Sequence, residues 1–329
     1  MHSSRCALGG FLMIAFLTNC SGSATQPAVS TSQAGVTTPA DEGASLGNDF
    51  LGCPYPSGDV WQTNISTAQL DPHSAAYIKA TIDGGGGGKF AVWTPTNELI
   101  NAATSSTPLV AVHGKVKWHT PYSPWPWASN FYISPMSDAH ALVLQGSSCQ
   151  YFEGYDTTYS GGSLSMYNGG MWDLTKPFVR QNQGATSTAS GIPIGLLAVR
   201  PEELTAGVIL HAIGWDGVAH SWSQTACVSP AGKTDCTDDI AYKGPSGDTP
   251  MPYGAHIRLK ASFNDSSFPS QAKTVAEALK NYGAYGYDTG CCNAIAFVND
   301  INGAPVWTSA DESAIASLTI SDFDVVVAP

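Results

Sequence analysis

The order of apolar and polar positions predicts a chain built mainly of strands. Alternating or β-branched runs occur at Lys89–Thr94, Leu109–Trp118, His140–Gln145, Gln150–Tyr155, Val208–Trp215, His256–Phe263, Ala294–Val298 and Phe323–Val327. Successive side chains of a strand point to opposite faces, so such runs suit one inward and one outward face. Helical spacing is rarer. Pro269–Tyr282 places Ala272, Val275, Ala276 and Leu279 on one stripe, with Gly283 to end it. Shorter helices are predicted over Pro72–Ala80, behind Asp71 as a cap, and over Pro201–Thr205. Ser309 followed by Glu312 is a capping-box pattern ahead of another. The glycine run Gly84–Gly88 lacks the lysine and hydroxyl of a phosphate loop and is expected to form a flexible turn. The pattern implies a single domain, mainly β with a few helices, of β-sandwich or jelly-roll-like type.

The N-terminal stretch breaks this pattern. Arg5 precedes an apolar run, Ala7–Leu17, of the length of a signal-peptide core and too short to span a membrane permanently. Leu17-Thr18-Asn19-Cys20 then resembles a lipobox, with Asn19 in place of the usual small residue. Residues 1–19 are therefore expected to be a signal peptide, with Cys20 as the lipid-attachment site. Residues 20–48 are Ser, Thr, Ala, Gly, Gln and Pro with almost no large apolar side chains. They would form a flexible tether reaching on the order of 30 Å. Residues 49–329 form the expected β-rich globular domain. The expected location is outside the cytoplasm, as a membrane-anchored lipoprotein or an extracellular protein. Cys53, Cys149, Cys227, Cys236, Cys291 and Cys292 remain in the mature chain, and an oxidising compartment favours pairing them. Cys227 and Cys236 flank a short polar stretch and are the leading pair. A metal–thiolate site is the alternative, but the spacing fits no common zinc motif.

Composition sharpens the picture. The 329 residues carry a net charge of −12, only 12% are charged, and there are 34 glycines and 21 prolines. That is the profile of a loop-rich extracellular β protein. With 14 Lys and Arg and no basic cluster, nucleic-acid binding is excluded, because phosphate neutralisation needs a basic face. The nine tryptophans can fill a core or present faces to sugar rings.

Several segments carry a further pattern. They include Asp138-Ala139-His140, Tyr151-Phe152-Glu153-Gly154-Tyr155, Gly191-Ile192-Pro193-Ile194 and His211-Ala212-Ile213. Arg258-Leu259-Lys260-Ala261-Ser262 and Asp288-Thr289-Gly290 follow. In order and spacing they resemble motifs of an uncharacterised secreted bacterial and fungal protein family. Its counterparts read Asp-Arg-His, Tyr-Glu-Leu-Tyr, Gly-Leu-Pro-Ile, His-Ala-Leu-Arg-Phe, Arg-Leu-Lys-Ala-Ser and Asp-Asn-Gly. Ala139, Gly214 and Thr289 depart from those motifs. The resemblance implies a shared fold and work outside the cell, and brings no mechanism.

Five of the polar residues are candidates for catalysis: Asp138, His140, Glu153, His211 and Asp288. Asp138 and His140 are two apart at a strand entrance, where a carboxylate can orient an imidazole. Glu153 and Tyr155 alternate on one face, a carboxylate beside a phenol. Asp288 in a turn, with Glu153, would supply the two carboxylates of a glycosidase. His211 ends an apolar run, where an isolated histidine is more often structural. Tyr155, Arg200, Trp215 and Arg258 are the substrate-binding candidates, the arginines for clamping an acidic sugar. His220 and His256 could join His140 and His211 around a metal, but no local motif supports this, so no metal and no cofactor is expected. The expected function is a secreted carbohydrate-active enzyme, a glycoside hydrolase or polysaccharide lyase, with a polysaccharide as partner and membrane contact only through the lipid. The alternative is a non-catalytic surface lipoprotein that binds glycan or a partner protein through exposed Trp118, Trp125 and Trp127.

Overall fold

The strand Gln150–Tyr155 forms over the residues its alternation predicts, and it is the divide of the fold. Tyr151 faces one hydrophobic cluster, with Leu142, Leu144 and Trp172. Phe152 faces the other, with Ala141, Val143, Trp125 and Trp127. Period-two alternation therefore puts Tyr151, Glu153 and Tyr155 on the face of the larger cluster. A computed structural model describes residues 49–54, 59–92, 98–117, 120–178, 187–232, 242–290, 292–298 and 307–327. The signal, the tether, Cys20, Trp118, Cys236 and Cys291 lie outside the described residues.

The chain from Asp49 on is mainly β, with short helices between strands. Gln150–Tyr155 sits inside a four-stranded sheet, between Asn168–Asp173 and Ala141–Gln145, with Ile100–Ala103 at the far edge. A six-stranded mixed sheet runs Phe323–Val326, His256–Leu259, Ala284–Gly290, Ile213–Val218, Ala294–Ile295 and Ala91–Val92. Its central pair, Ile213–Val218 and Ala284–Gly290, is parallel. Trp215, Trp222, Tyr253 and Tyr285 are buried in the larger cluster. Each such side chain contributes roughly 1.5–3 kcal/mol on burial.

The helix predicted over Pro269–Tyr282 spans Ser270–Asn281, and Ala272, Val275, Ala276 and Leu279 are all buried. Gly283 follows with φ +69°, and a Cβ there would come within 2.4 Å of the Ile257 carbonyl, so only glycine fits. The capping box of the helix Ser309–Ile315 is shifted by one residue from its sequence pattern. It uses Thr308 and Asp311, because Asp311 also accepts from the Ala272 amide and so ties the two helices together.

Three expectations change. Leu109–Trp118 divides into Leu109–Val110 and Val112–Gly114, which join different sheets. Val208–Trp215 is not one strand: the strand is Ile213–Val218, and the residues before it are irregular, with a bend at His211. The glycine run is not a loose turn. Helix Ser74–Thr81 continues into a wider helical turn, Ile82–Gly86, which packs against Ala219–Ser221. A Cβ on Gly84 would lie 2.7 Å from Ser221 Cα and 2.8 Å from the His220 carbonyl, whereas one on Gly88 would meet nothing within 4 Å. Gly84→Ala is therefore expected to cost roughly 1–3 kcal/mol in urea unfolding. Gly88→Ala should change stability by less than about 0.5 kcal/mol. Equal effects would contradict the close approach.

Cys53 pairs with Cys149, 96 residues on, with Cα atoms 5.5 Å apart. It pins the first strand pair to the entrance of Gln150–Tyr155. Closing so long a loop restricts the unfolded chain and is worth on the order of 4 kcal/mol. Cys227 is also disulfide-bonded.

Candidate functional site

Two carboxylates meet at the centre of the six-stranded sheet. Trp215 is in register with Gly286, but Asp216 is in register with Asp288, so Tyr287 is an extra residue and the pair is bulged. Bulges re-aim side chains, occur beside active sites, and are rare between parallel strands. Adjacent strands run about 4.8 Å apart, so the two aspartates start as close neighbours. On its other side Asp216 is in register with Ala294. Asp288 accepts from the Ala189 amide at 3.1 Å and the Thr289 amide at 2.9 Å. Burial, then the Asp216 charge, pushes its carboxyl well above the usual carboxylate range. Both effects favour the protonated form of Asp288 more than in an exposed aspartate.

The residues from Ser187 to Val199 bridge the two sheets and set this geometry. On one side the Ala189 amide donates to Asp288, Ser190 N to the Tyr287 carbonyl, and Val199 N to the Ala296 carbonyl. On the other they hold Glu153. The Ile194 and Gly195 amides donate to its carboxylate at 3.0 and 3.2 Å, as does the Ser187 hydroxyl, and the Tyr151 phenol donates at 2.5 Å. Burial pushes the Glu153 carboxyl up, and the four donors pull it back down. With every lone pair engaged and no solvent exposure, Glu153 fastens the fold. It has no reach to a substrate, which corrects its reading as a catalytic acid.

A third carboxyl, Glu98, feels the charges of Glu153, Asp138 and Asp216. Burial raises its pKa well above the ordinary value, and those charges add to this, against a hydrogen bond from Ser134. Its Oε2 is buried with no hydrogen-bond partner among the described residues.

Asp138 and His140 stand near this group, but not as alternating strand residues. Ala139 between them has φ +44°, and the strand begins only at Ala141. The turn is held by Asp156 N on the Asp138 carbonyl, at 2.7 Å, and Thr157 N on the Ala139 carbonyl, at 3.0 Å. It leaves Asp138 exposed and His140 buried, with the imidazole 5.7 Å from the Tyr155 ring. Burial lowers the His140 pKa to about 4, opposed by the Asp138 charge and the Gly154 backbone, so the ring is neutral near pH 7. A left-handed alanine between two such groups is strain of the kind that collects at functional sites. The Tyr155 phenol is raised by burial, then by the charges of Asp138 and Asp288. Tyr155 meets Tyr167 edge-on at 5.9 Å, and both stay half-exposed.

The structure brings His140 against Tyr155 and puts Asp216 in register with Asp288, and the Asp138 charge acts on His140, Tyr155 and Asp288; Asp216 and Glu98 are the residues sequence reasoning missed. A charged residue inside the otherwise apolar, glycine-flanked run Gly214–Gly217 was the available signal for Asp216.

The remaining candidates are engaged elsewhere. His211 is fully buried, with Nδ1 on the Ala212 carbonyl at 2.7 Å and Nε2 on Glu203 at 2.9 Å, so neither nitrogen is left for a substrate. Arg200 is 2% exposed and bonds Glu202 at 3.0 Å and Glu203 at 2.6 Å, so it does not clamp an acidic sugar. Arg258 donates to the carbonyls of Ile65, Ser66 and Ala68 and fastens that loop. Trp215 is fully buried against Trp222, with ring centres 4.7 Å apart, and cannot meet a substrate. Trp125 and Trp127 are core residues too, so the expected exposed patch loses both. His256 stacks on Tyr285 at 3.9 Å and bonds the Tyr282 carbonyl. No group of three or more His, Cys, Asp or Glu placed to hold a metal occurs among the described residues.

The arrangement can move a proton. A carboxyl whose pKa is raised, Asp288, is in register with a second carboxyl, Asp216, and a neutral imidazole, His140, lies against a phenol, Tyr155. Comparisons of this chain with protein-family models, with curated proteins and with solved structures give no match.

Proposed function

We propose that this protein is an exported glycoside hydrolase in which Asp288 is the proton donor and Asp216 the ionised partner. The observation that carries the reading is the bulged register pair of these two aspartates. Retaining glycosidases hold their two carboxyl groups about 5–5.5 Å apart, which suits neighbours on adjacent strands. Asp288 protonates the leaving glycosidic oxygen. The Asp216 carboxylate attacks the anomeric carbon as that bond breaks, giving a glycosyl ester. Water, deprotonated by Asp288, then displaces Asp216 and restores both groups. Tyr155 and Tyr167 offer ring faces for a sugar.

A lyase acting on uronates needs a cation to neutralise the substrate carboxylate. Arg200, Arg258 and Lys115 are each taken by protein partners, Lys115 by Asp156 at 2.7 Å. The bulged aspartate pair, which offers the two carboxyl groups a glycosidase needs, favours hydrolysis. The test is a glycan panel, neutral, amino and acidic, incubated with the purified mature chain. New reducing ends without unsaturated products are expected, with turnover falling on the alkaline side as Asp288 loses its proton. Unsaturated ends, or a panel left intact, would overturn the proposal.

Export and lipid anchoring at Cys20 belong to the same reading. Cys20→Ser should release a folded, soluble domain. A variant that stays membrane-bound through its N-terminus would exclude the anchor.

A further inference from the structure

The faces of the central parallel pair show how Asp288 comes to stand beside Asp216. A Cβ at Gly286 would meet the Trp222 ring at 2.3 Å and Trp215 at 3.4 Å, and Gly286 is in register with Trp215. A Cβ at Gly217, two residues after Trp215, would also meet Trp222, at 2.5 Å. These positions share one tryptophan-covered face, and Asp216 alternates to the other. By plain alternation Asp288, two residues after Gly286, would return to the tryptophan face, across the sheet from Asp216. Instead, a Cβ at Gly290, two residues after Asp288, would lie 3.8 Å from Asp216 Oδ2. From Asp288 onward the strand therefore shows these positions on the face of Asp216. The extra residue of the bulge, Tyr287, makes the switch.

A missing side chain on the neighbouring strand seats Tyr287. A Cβ at Gly214 would lie 2.8 and 2.9 Å from Cε1 and Cδ1 of the Tyr287 ring, and 3.1 Å from the Ala296 methyl. The buried ring therefore lies over bare Gly214 backbone, in a slot that Ala296 closes. The Ala296 amide donates to the Gly214 carbonyl at 3.0 Å and so fixes that wall. The Tyr287 carbonyl accepts from Ser190 N at 3.1 Å, which holds the backbone of the bulged residue as the slot holds its ring. A methyl group at position 214 would fill the slot and push the ring out.

We infer that Gly214 and Tyr287 are positioning residues: the Tyr287 ring, seated in the slot that Gly214 leaves open, holds the bulge and so puts Asp288 on the face of Asp216. The role of the paired carboxyls rests on the hydrolase reading, whereas the pairing itself rests on register and clearance.

The experiment follows the aspartate carboxyl carbons of the labelled, full mature chain by NMR across pH, with Asp216→Asn and Asp288→Asn to assign the signals. Burial and then the Asp216 charge raise the Asp288 carboxyl, and moving Asp216 away removes only the second effect. In Gly214→Ala the Asp288 midpoint should therefore fall by about one pH unit. The alkaline limb of glycan turnover should move down with it, and kcat should drop about 10-fold or more. Val275→Ala opens a cavity in the buried face of Ser270–Asn281 and controls for lost stability, so it should leave the midpoint and the pH profile unchanged. Tyr287→Phe keeps the ring and should match wild type. Tyr287→Leu keeps much of the volume without the flat ring, should shift the midpoint as Gly214→Ala does, and decides the matter if Gly214→Ala does not fold. An Asp288 midpoint unmoved in Gly214→Ala or Tyr287→Leu would overturn the inference, as would an equal shift in Val275→Ala. A Tyr287→Phe protein as altered as Tyr287→Leu would do the same, since the hydroxyl would then be the cause. If the midpoint moves but wild type cleaves no glycan, the hydrolase reading fails and the pairing stands. If wild type cleaves glycans and the midpoint stays in every variant, the reverse holds.

Discussion

Asp216→Asn and Asp288→Asn are each expected to lower kcat by about 10²–10⁴-fold while leaving the fold intact. Asparagine keeps the shape of aspartate. At position 288 its carbonyl oxygen can still accept from the Ala189 and Thr289 amides, which hold Asp288 Oδ1 at 3.1 and 2.9 Å. What is lost is the ionisable proton at 288 and the charge at 216. The two losses separate by leaving group. An aryl glycoside whose leaving group departs unprotonated should recover most of its rate in Asp288→Asn, because the acid is no longer needed. It should recover little in Asp216→Asn, because the attacking carboxylate is gone. Identical responses would mean that the pair does not divide the work as assigned. Full activity in either variant would remove the pair from the mechanism.

The second large effect is on stability. Glu153→Ala should destabilise the protein by roughly 3–5 kcal/mol, because it leaves buried donors without an acceptor. The carboxylate takes the Ser187 hydroxyl and the Ile194 amide on one oxygen, and the Tyr151 phenol and the Gly195 amide on the other. Glu153→Gln should fall between Ala and wild type. A hydroxyl can turn away from the new NH₂ group, but an amide N–H cannot, so either Ile194 or Gly195 is orphaned at a cost of about 1–3 kcal/mol. Urea midpoints give the order, and hydrogen exchange at the Ile194 and Gly195 amides should rise first. The Ser187–Val199 stretch also delivers the Ala189 amide to Asp288, so Glu153 is a positioning residue for the site. Glu153→Gln should therefore lower kcat more than it raises KM. A Glu153→Ala protein as stable as wild type would refute the anchor.

Some of this was legible from residue order. Period-two alternation specified Gln150–Tyr155 and put Glu153 and Tyr155 on one face. Helical spacing specified Ser270–Asn281, because its stripe of small apolar residues can be buried only one way. Composition pointed to a loop-rich β protein. Local pattern fixes which face a side chain takes, since that depends only on backbone geometry.

Which partner waits on that face was decided by tertiary structure. Glu153 and His211 read as catalytic because polar groups in apolar runs are costly to bury alone. Each instead met its partners, four donors for Glu153 and the Glu203 carboxylate for His211, supplied by segments no local rule connects. The glycine run read as loose because glycine permits a turn, whereas here it permits the approach of Ser221. Asp216 and Asp288 are 72 positions apart (288 − 216) and became a pair through a parallel register broken by one extra residue, Tyr287. That register follows from long-range packing of whole strands, which residue order at either position does not carry.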